Sequence, residues 1–177
     1  DYRKMAEGAM KAIIEILSTQ YQKQFTLVNS KTYPVSGGEL NPANVDSELE
    51  TFAQLGVKRG LDKADASYIA RVFGSNAPRV FNLVTTLEAA EGLSLRDTLV
   101  LHYTMREEMA LTPVDYFLRR TNHLLFMRET LDDLTLPITN EMARYFEWSE
   151  EEKQAHLDEL AAVLAESDLK ELKENAK

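Results

Sequence analysis

One stretch of the sequence concentrates ionisable side chains within an apolar run. The segment from Tyr103 to Phe126 reads YTMREEMALTPVDYFLRRTNHLLF and holds three arginines, two glutamates and one aspartate among Met, Leu, Phe and Tyr. Charged side chains are seldom buried unless they are paired or take part in chemistry. The stretch is therefore an active site, a nucleic-acid contact, or a set of ion pairs that holds helices together.

The spacing of these charges favours ion pairing. Asp115 and Arg119 lie four residues apart, so on one helix they share a face. Glu108 precedes a tight turn at Leu111–Thr112 and is placed to reach Arg119 or Arg120. The alternative is a pair of arginines that binds phosphate, which the two neighbouring acids disfavour by neutralising the charge. We predict a structural ion-pair cluster formed by Glu108, Asp115, Arg119, Arg120 and Thr121.

The other candidate residues give no pattern for metal binding or covalent catalysis. His102, His123 and His156 fit no His-Glu-x-x-His or similar ligand spacing, so we interpret them as structural or surface residues. Gly37-Gly38 lacks the patterns of phosphate-binding loops. No serine or threonine has an evident base, and the chain has no cysteine. We predict no catalytic residue, no metal site and no cofactor-binding residue.

The charge distribution argues against a nucleic-acid partner. The formal net charge is −9, and residues 141–177, with 11 acidic and 5 basic side chains, carry −6 of it. An acidic chain repels phosphate backbones. Lys63–Ala90 has the helix–glycine–helix order of a helix-turn-helix, but its second helix carries one arginine and two glutamates. A recognition helix needs several Arg, Lys, Asn or Gln side chains on one face.

Helical periodicity extends along the chain. Apolar residues recur at three- and four-residue spacing from Tyr2 to Tyr21. The following QFTLVNSKTYPVSGGELNP contains two glycines and two prolines and predicts a long irregular loop near residues 22–45. Capping and stop signals predict further helices at Asp46–Val57, at Lys63–Phe73, from Ser75 or Asn76 to Gly92, from Ser94 through Ala110, from Thr112 through Thr121, in RETLDDL, in ITNEMARYF, and from Ser149 to a frayed end at Lys170–Lys177.

These signals predict an all-α fold. We expect a single compact helical bundle of about six to eight helices that forms one domain over residues 1–177. The lack of cysteine fits a reducing, cytoplasmic setting. No apolar run reaches the roughly 18 residues of a membrane span. The chain begins with aspartate, so we expect a fragment cut from a longer protein.

Five segments, in order, resemble one protein family. They are DYRKMAEGA at the start, YPVSGG after the first helix, VFGSNAPRVF at Val72–Phe81, the pattern Tyr103-x4-Glu108-x6-Asp115-x3-Arg119-Arg120-Thr121, and WSEEEKQAHLDEL at Trp148–Leu160. Together they span nearly the whole chain. They resemble the C-terminal domain of bacterial FAD-dependent glycerol-3-phosphate dehydrogenases and of the related alpha-glycerophosphate oxidases. Glu39–Gly60 is longer than the shortest family members need, so no role carries over to it.

The resemblance implies a helical cap domain excised from a larger flavoenzyme of glycerol metabolism. That enzyme would oxidise sn-glycerol 3-phosphate to dihydroxyacetone phosphate, with FAD held by an upstream domain that is the partner of this chain. Only Tyr2 and Arg3 would lie near that domain. Electrons would pass to oxygen, or to a membrane quinone with the parent peripheral to the inner face of the cell membrane. The parent enzyme is also a possible homodimer. The chain alone is expected to be inactive.

The alternative interpretation is a free-standing helical interaction module that uses its acidic last helix or the groove around Arg119 and Arg120. A lost flavin-domain interface predicts an exposed apolar patch on Tyr2–Tyr21 and Phe25–Gly38. A free-standing module predicts a polar first helix instead. An independent small enzyme is disfavoured by the lack of a site. If Arg120 is buried beside a paired acid, Arg120→Ala should cost about 3–5 kcal/mol.

Overall fold

The computed structural model describes residues 2–167, which form helices and no strands. This confirms the predicted all-α fold class. The chain divides into two compact units, Asp1–Glu39 and Leu40–Lys177, and one domain over 1–177 stays a prediction. The predicted frayed end, Lys170–Lys177, lies outside the described residues. The described α-helices are α1 (Tyr2–Tyr21), α2 (Val45–Lys58), α3 (Lys63–Phe73), α4 (Ala77–Asn82), α5 (Leu95–Glu107), α6 (His123–Phe126), α7 (Leu131–Phe146) and α8 (Glu150–Glu166).

The first unit consists of α1 and the irregular segment after it. α1 has the predicted bounds, and none of its side chains is buried. Hydrogen bonds from Lys11 and then Lys4 lower the pKa of Glu7, on the polar side of α1, to about 2. The unit exposes large apolar side chains along both of its parts: Tyr2, Met5, Met10, Ile13, Ile16, Tyr21, Phe25, Val28, Tyr33 and Val35. Among the described helices, none combines the length and the apolar character needed to traverse a bilayer.

The second unit begins with two closely packed helices, α2 and α3. α3 begins at the predicted residue, Lys63, and Asp62 caps it, because the Asp62 side chain accepts a hydrogen bond from Asp65 N at 2.9 Å. Gly56 of α2 lies against Phe81 and Ala66. A Cβ atom at position 56 would come within 2.7 Å of the Phe81 ring and 2.9 Å of Ala66 Cβ. The missing side chain therefore allows these elements to approach closely.

One hydrophobic core fills the second unit, and α5 runs through it. Ser94 caps α5 by accepting a hydrogen bond from Asp97 N at 3.0 Å. Eight consecutive residues of α5, 98–105, are buried. Leu99 is fully buried with residues of other helices, including Ile69 and Ile138. Each such aliphatic side chain contributes about 1.5–3 kcal/mol through burial, which makes α5 the best-anchored helix described here.

The predicted helix that runs to Gly92 is wrong in its length. α4 ends at Asn82, a single 3-10 turn follows, and residues 86–94 are irregular. The Ala90 N–H donates to Thr98 Oγ1 at 2.9 Å and so bonds to α5 outside any helical ladder. Gly92 has a φ of +76° and lies so close to Pro137 that a Cβ atom would be 2.8 Å from the ring. Tertiary contacts therefore override the local helical preference.

The two helices predicted in RETLDDL and ITNEMARYF are one helix in the structure. A 3-10 turn at Arg128–Thr130 leads into α7, which continues through Pro137. Proline inside a helix removes a backbone hydrogen bond and costs about 3 kcal/mol. Burial of Ile138 and Met142 just beyond it offsets this cost. The next helix, α8, begins after Ser149, as predicted, and Ser149 and Glu152 form a capping box there.

Candidate functional site

The predicted ion-pair cluster is built around a helix start after α5. Thr112 Oγ1 accepts a hydrogen bond from Asp115 N at 3.1 Å. Asp115 Oδ2 in turn accepts hydrogen bonds from the N–H groups of Leu111 and Thr112 at 3.0 and 3.1 Å. The other carboxylate oxygen, Oδ1, pairs with Arg119 at 2.8 Å across the four-residue spacing. Asp115 therefore caps the backbone and neutralises one arginine at the same time.

The segment that carries the two arginines is a π-helix. It spans Asp115–Arg120, and its backbone hydrogen bonds reach one residue further along the chain than those of an α-helix. Its last turn is closed by Thr121, whose Oγ1 and N both donate to the Tyr116 carbonyl at 2.9 Å. Tyr116 and Phe117 are buried, whereas both arginines are exposed. The wide turn thus places two aromatic rings in the core and leaves the guanidinium groups at the surface.

Glu108 and Arg120 do not complete the predicted cluster. Within residues 2–167, Arg120 is exposed and neither residue forms an ion pair. Burial raises the pKa of the Glu108 carboxyl, and the charge of Arg120 opposes that rise. Glu107, beside Glu108, pairs with Arg79. Of the predicted cluster, Asp115 and Arg119 do form an ion pair. Arg120 is exposed, so the condition under which Arg120→Ala would cost about 3–5 kcal/mol is not met.

A second charged group, not anticipated from the sequence, links α5 and α7. His102 is buried, and its Nε2 lies 2.6 Å from Glu141 Oε1. Arg144 donates to the same carboxylate from Nε at 2.8 Å and from Nη2 at 2.5 Å. The Arg144 hydrogen bond lowers the pKa of Glu141 more than burial raises it. Burial lowers the pKa of His102, although the hydrogen bond to Glu141 opposes this effect.

This group lines a cavity of about 950 Å³ bounded by α5, α7 and residues 86–92. Its ionisable and amide side chains are Glu88, Glu91, His102, Asn140, Glu141 and Arg144. Three carboxylates against one arginine disfavour an anionic ligand. In the described part of the chain, no three His, Asp or Glu side chains form a group that could hold a metal ion. Among the described residues, the cavity thus offers a buried imidazole hydrogen bonded to a carboxylate, and neither a metal site nor a nucleophile with its base.

The other two histidines pack inside the second unit. His123 Nδ1 lies 3.1 Å from Thr130 Oγ1, and burial lowers the pKa of His123. The His156 ring lies 4.2 Å from the Trp148 ring, measured between centroids. Its Nδ1 is 3.6 Å from a Glu159 oxygen. Each of these imidazoles therefore contacts neighbouring side chains that explain its position without a bound ligand.

Tyr2 and Arg3 lie at the start of α1. Both line a cavity of about 510 Å³ between α1 and residues 27–30, inside the first unit. Binding of FAD through a dinucleotide fold needs a strand, a glycine-rich turn and a helix in sequence. The described residues contain no strand, and the sequence contains no Gly-x-Gly-x-x-Gly. Residues 2–167 therefore do not form a dinucleotide-binding site of this type.

Comparison with known proteins places these features in a family. A family model described as the C-terminal domain of alpha-glycerophosphate oxidase matches residues 28–153. The chain is 61% identical over 173 residues to alpha-glycerophosphate oxidase from Streptococcus pneumoniae, and 63% identical to the enzyme from Streptococcus pyogenes serotype M1. Each alignment covers 98% of this chain and 28% of the relative. The chain therefore spans less than a third of the length of these curated relatives.

A solved structure gives the same result. The crystal structure of glycerol-3-phosphate dehydrogenase from Bacillus halodurans, complexed with FAD, matches with a TM-score of 0.81 at 30% identity. The match covers 92% of this chain and 33% of that protein. The family predicted from the five sequence segments is thus confirmed. The chain belongs to the family described as the C-terminal domain of alpha-glycerophosphate oxidase.

Proposed function

We propose that this chain is the accessory C-terminal domain of a flavoenzyme that oxidises sn-glycerol 3-phosphate to dihydroxyacetone phosphate. The domain packs on an FAD domain of the same polypeptide and does not catalyse the reaction alone. The names of the relatives and the partial coverage of their lengths support this proposal. The poor fit of the chain to a dinucleotide-binding site supports the location of FAD elsewhere.

The observation that carries the proposal is the apolar surface of the first unit. α1 exposes Met5, Ile13 and Ile16 at helical spacing, although it has 20 residues and contains no buried side chain. A soluble monomer rarely leaves so many apolar residues exposed in one element unless they form an interface. An inter-domain contact in the parent enzyme would cover this surface. The polar first helix expected of a free-standing interaction module is not what α1 presents.

We further propose oxygen as the electron acceptor, because both streptococcal relatives are named oxidases. A quinone acceptor, with the parent peripheral to the membrane, is the alternative suggested by the dehydrogenase name. Hydrogen peroxide formed in step with glycerol 3-phosphate oxidation supports oxygen, and its absence supports the quinone.

We also propose a cytoplasmic location and a homodimeric parent. Cell fractionation and light scattering of the full-length protein test these two points.

The first experiment compares the visible absorbance of this chain with that of the full-length protein that contains it. Both are measured before and after anaerobic addition of glycerol 3-phosphate. A colourless chain and a yellow full-length protein that bleaches with substrate are expected. A full-length protein without flavin absorbance would overturn the flavoenzyme proposal. The free-standing interaction module would then be the better account.

A pair of substitutions tests the interface itself in the full-length protein. Ile13→Asp places a charge on the exposed apolar side of α1, and Gln20→Asp places the same charge at an exposed polar position of that helix. Burying an unpaired carboxylate is costly. Ile13→Asp should therefore lower the melting temperature and increase protease sensitivity, while Gln20→Asp should change neither. Equal behaviour of the two variants would exclude this side of α1 from the interface.

A further inference from the structure

The His102–Glu141–Arg144 group has no part in the proposed function, and one of its atoms has an unusual environment. His102 is 1% exposed. Its Nε2 lies 2.6 Å from Glu141 Oε1, but its Nδ1 is buried and has no hydrogen-bond partner among the described residues. Buried polar atoms of native proteins are nearly always hydrogen bonded, so a single unsatisfied nitrogen needs a physical explanation. The protonation state and tautomer of the imidazole ring explain it.

The hydrogen bonds around the group determine which tautomer the ring adopts. Glu141 accepts two hydrogen bonds from Arg144, which keeps the carboxylate ionised and able only to accept. His102 Nε2 must therefore donate to it, and the neutral ring carries a bare lone pair at Nδ1. A bare lone pair without a donor is tolerated better than a buried N–H at a positive ring. Such an N–H would have no acceptor within a charged, desolvated group.

The charges that face the ring come from every element around it. Arg106 from α5 and Arg144 from α7 oppose a positive charge on the imidazole, and Glu141 favours it. The Tyr145 ring contacts His102 edge to face at 5.5 Å and lies under Arg106 at 5.8 Å. Glu88 and Glu91, from residues 86–92, line the same cavity and are exposed. Two cations therefore face one ion-paired carboxylate close to the ring, and the rim carboxylates are in solvent.

We propose that His102 is a proton-sensitive contact between α5 and α7. The neutral ring joins the helices through its Nε2–H and Glu141, and protonation at Nδ1 creates a buried N–H without an acceptor among the described residues, which destabilises the packing of the two helices beside the cavity. Burial lowers the pKa of His102 in the folded state, so the unfolded chain takes up the proton first as the pH falls. The stabilisation is complete above the unfolded value of 6.5 and is lost as the pH falls through the folded pKa.

Histidine titration by NMR on the 177-residue chain tests this proposal directly. We expect the Cε1–H resonance of His102 to titrate below the ordinary histidine value of about 6.5, and the nitrogen shifts at neutral pH to show the Nε2–H tautomer. Arg144→Gln removes an exposed cation that faces the ring and should raise the His102 midpoint. Arg120→Gln, an equally exposed change away from the group, should leave it unchanged. A His102 midpoint at or above the ordinary histidine value of about 6.5, or an Nδ1–H tautomer, would overturn the proposal.

A stability profile gives the second readout. The urea midpoint of the wild-type chain should fall between neutral pH and about pH 5, the range in which histidine ordinarily titrates. His102→Gln preserves a donor toward Glu141 but cannot titrate, so it should reduce this fall. His123 is also buried and its pKa is lowered by burial, so it adds a slope of the same sign, which His123→Gln measures. An unchanged slope in His102→Gln contradicts the proposal. If that variant does not fold, the NMR midpoints of the wild type decide the question.

Discussion

Two helices of the chain, α1 and α5, have apolar residues at helical spacing and very different surroundings. α1 is the longer at 20 residues and has no buried side chain, whereas α5 has 13 residues of which eight are buried. The hydrophobic pattern of a helix therefore does not predict whether its apolar side chains are buried within this chain. The partners of α5 lie within its own unit, and we propose that the partner of α1 lies in the FAD domain. The difference separates residues that stabilise this unit from residues that join it to another.

Truncation of one apolar residue in each helix should give the largest difference in the free energy of unfolding between α1 and α5. Leu99→Ala should reduce the free energy of unfolding by about 2–5 kcal/mol, because Leu99 is fully buried. Ile13→Ala should change it by no more than about 0.5 kcal/mol, because Ile13 is 44% exposed. Urea denaturation followed by far-UV circular dichroism measures both. A large cost for Ile13→Ala in this chain would show that α1 is already buried without the FAD domain.

Glycine replacement distinguishes the same two environments with a smaller effect. A Cβ atom at Gly56 would overlap the Phe81 ring, and such overpacking costs about 1–3 kcal/mol, of which a better helix propensity returns up to about 1. Gly56→Ala should therefore destabilise the chain. At Gly8 of α1, nothing lies within 4 Å of the added atom. Gly8→Ala should increase helicity and stability slightly, and the opposite sign at either position would contradict the described packing.

The smallest expected effect concerns the charged stretch that first suggested a site. Arg120→Ala should change the free energy of unfolding by less than about 0.5 kcal/mol, because Arg120 is exposed and has no ion pair in the described structure. Arg119→Ala, which removes an exposed pair with Asp115, should cost no more than about 1 kcal/mol. Thermal melts of the two variants measure this. A loss of several kcal/mol at Arg120 would restore the buried ion-pair cluster predicted from the sequence.

Local capping signals gave most of the helix boundaries correctly. Asp62, Ser94 and Ser149 each accept the backbone hydrogen bond that their spacing predicts. The errors lie where distant residues decide the local structure. Residues 86–94 are not helical, because the Ala90 N–H donates its hydrogen bond to Thr98 Oγ1. α7 continues through Pro137 because Ile138 and Met142, which follow it, are buried. Neither cause can be identified within the segment that it changes.

The same limit applies to the charged groups. Asp115 and Arg119 could be paired from the sequence because they are close along one helix. His102 and Glu141 could not, because 39 residues separate them. The sequence offers one signal: Glu141 lies three residues before Arg144, which indicates an ion pair on one helix. It gives no indication that His102 joins this pair. The π-helix at Asp115–Arg120 also has no sequence signature, although it determines that both arginines face solvent.

The single tryptophan has a consequence for spectroscopy. Trp148 stacks on Phe146 at 5.6 Å and contacts His156 at 4.2 Å, at the junction of α7 and α8. Intrinsic tryptophan fluorescence from this chain therefore reports on the packing around that junction. Emission changes will follow the melting of the second unit. The chain thus contains a natural optical probe for the unit that is anchored by its own core.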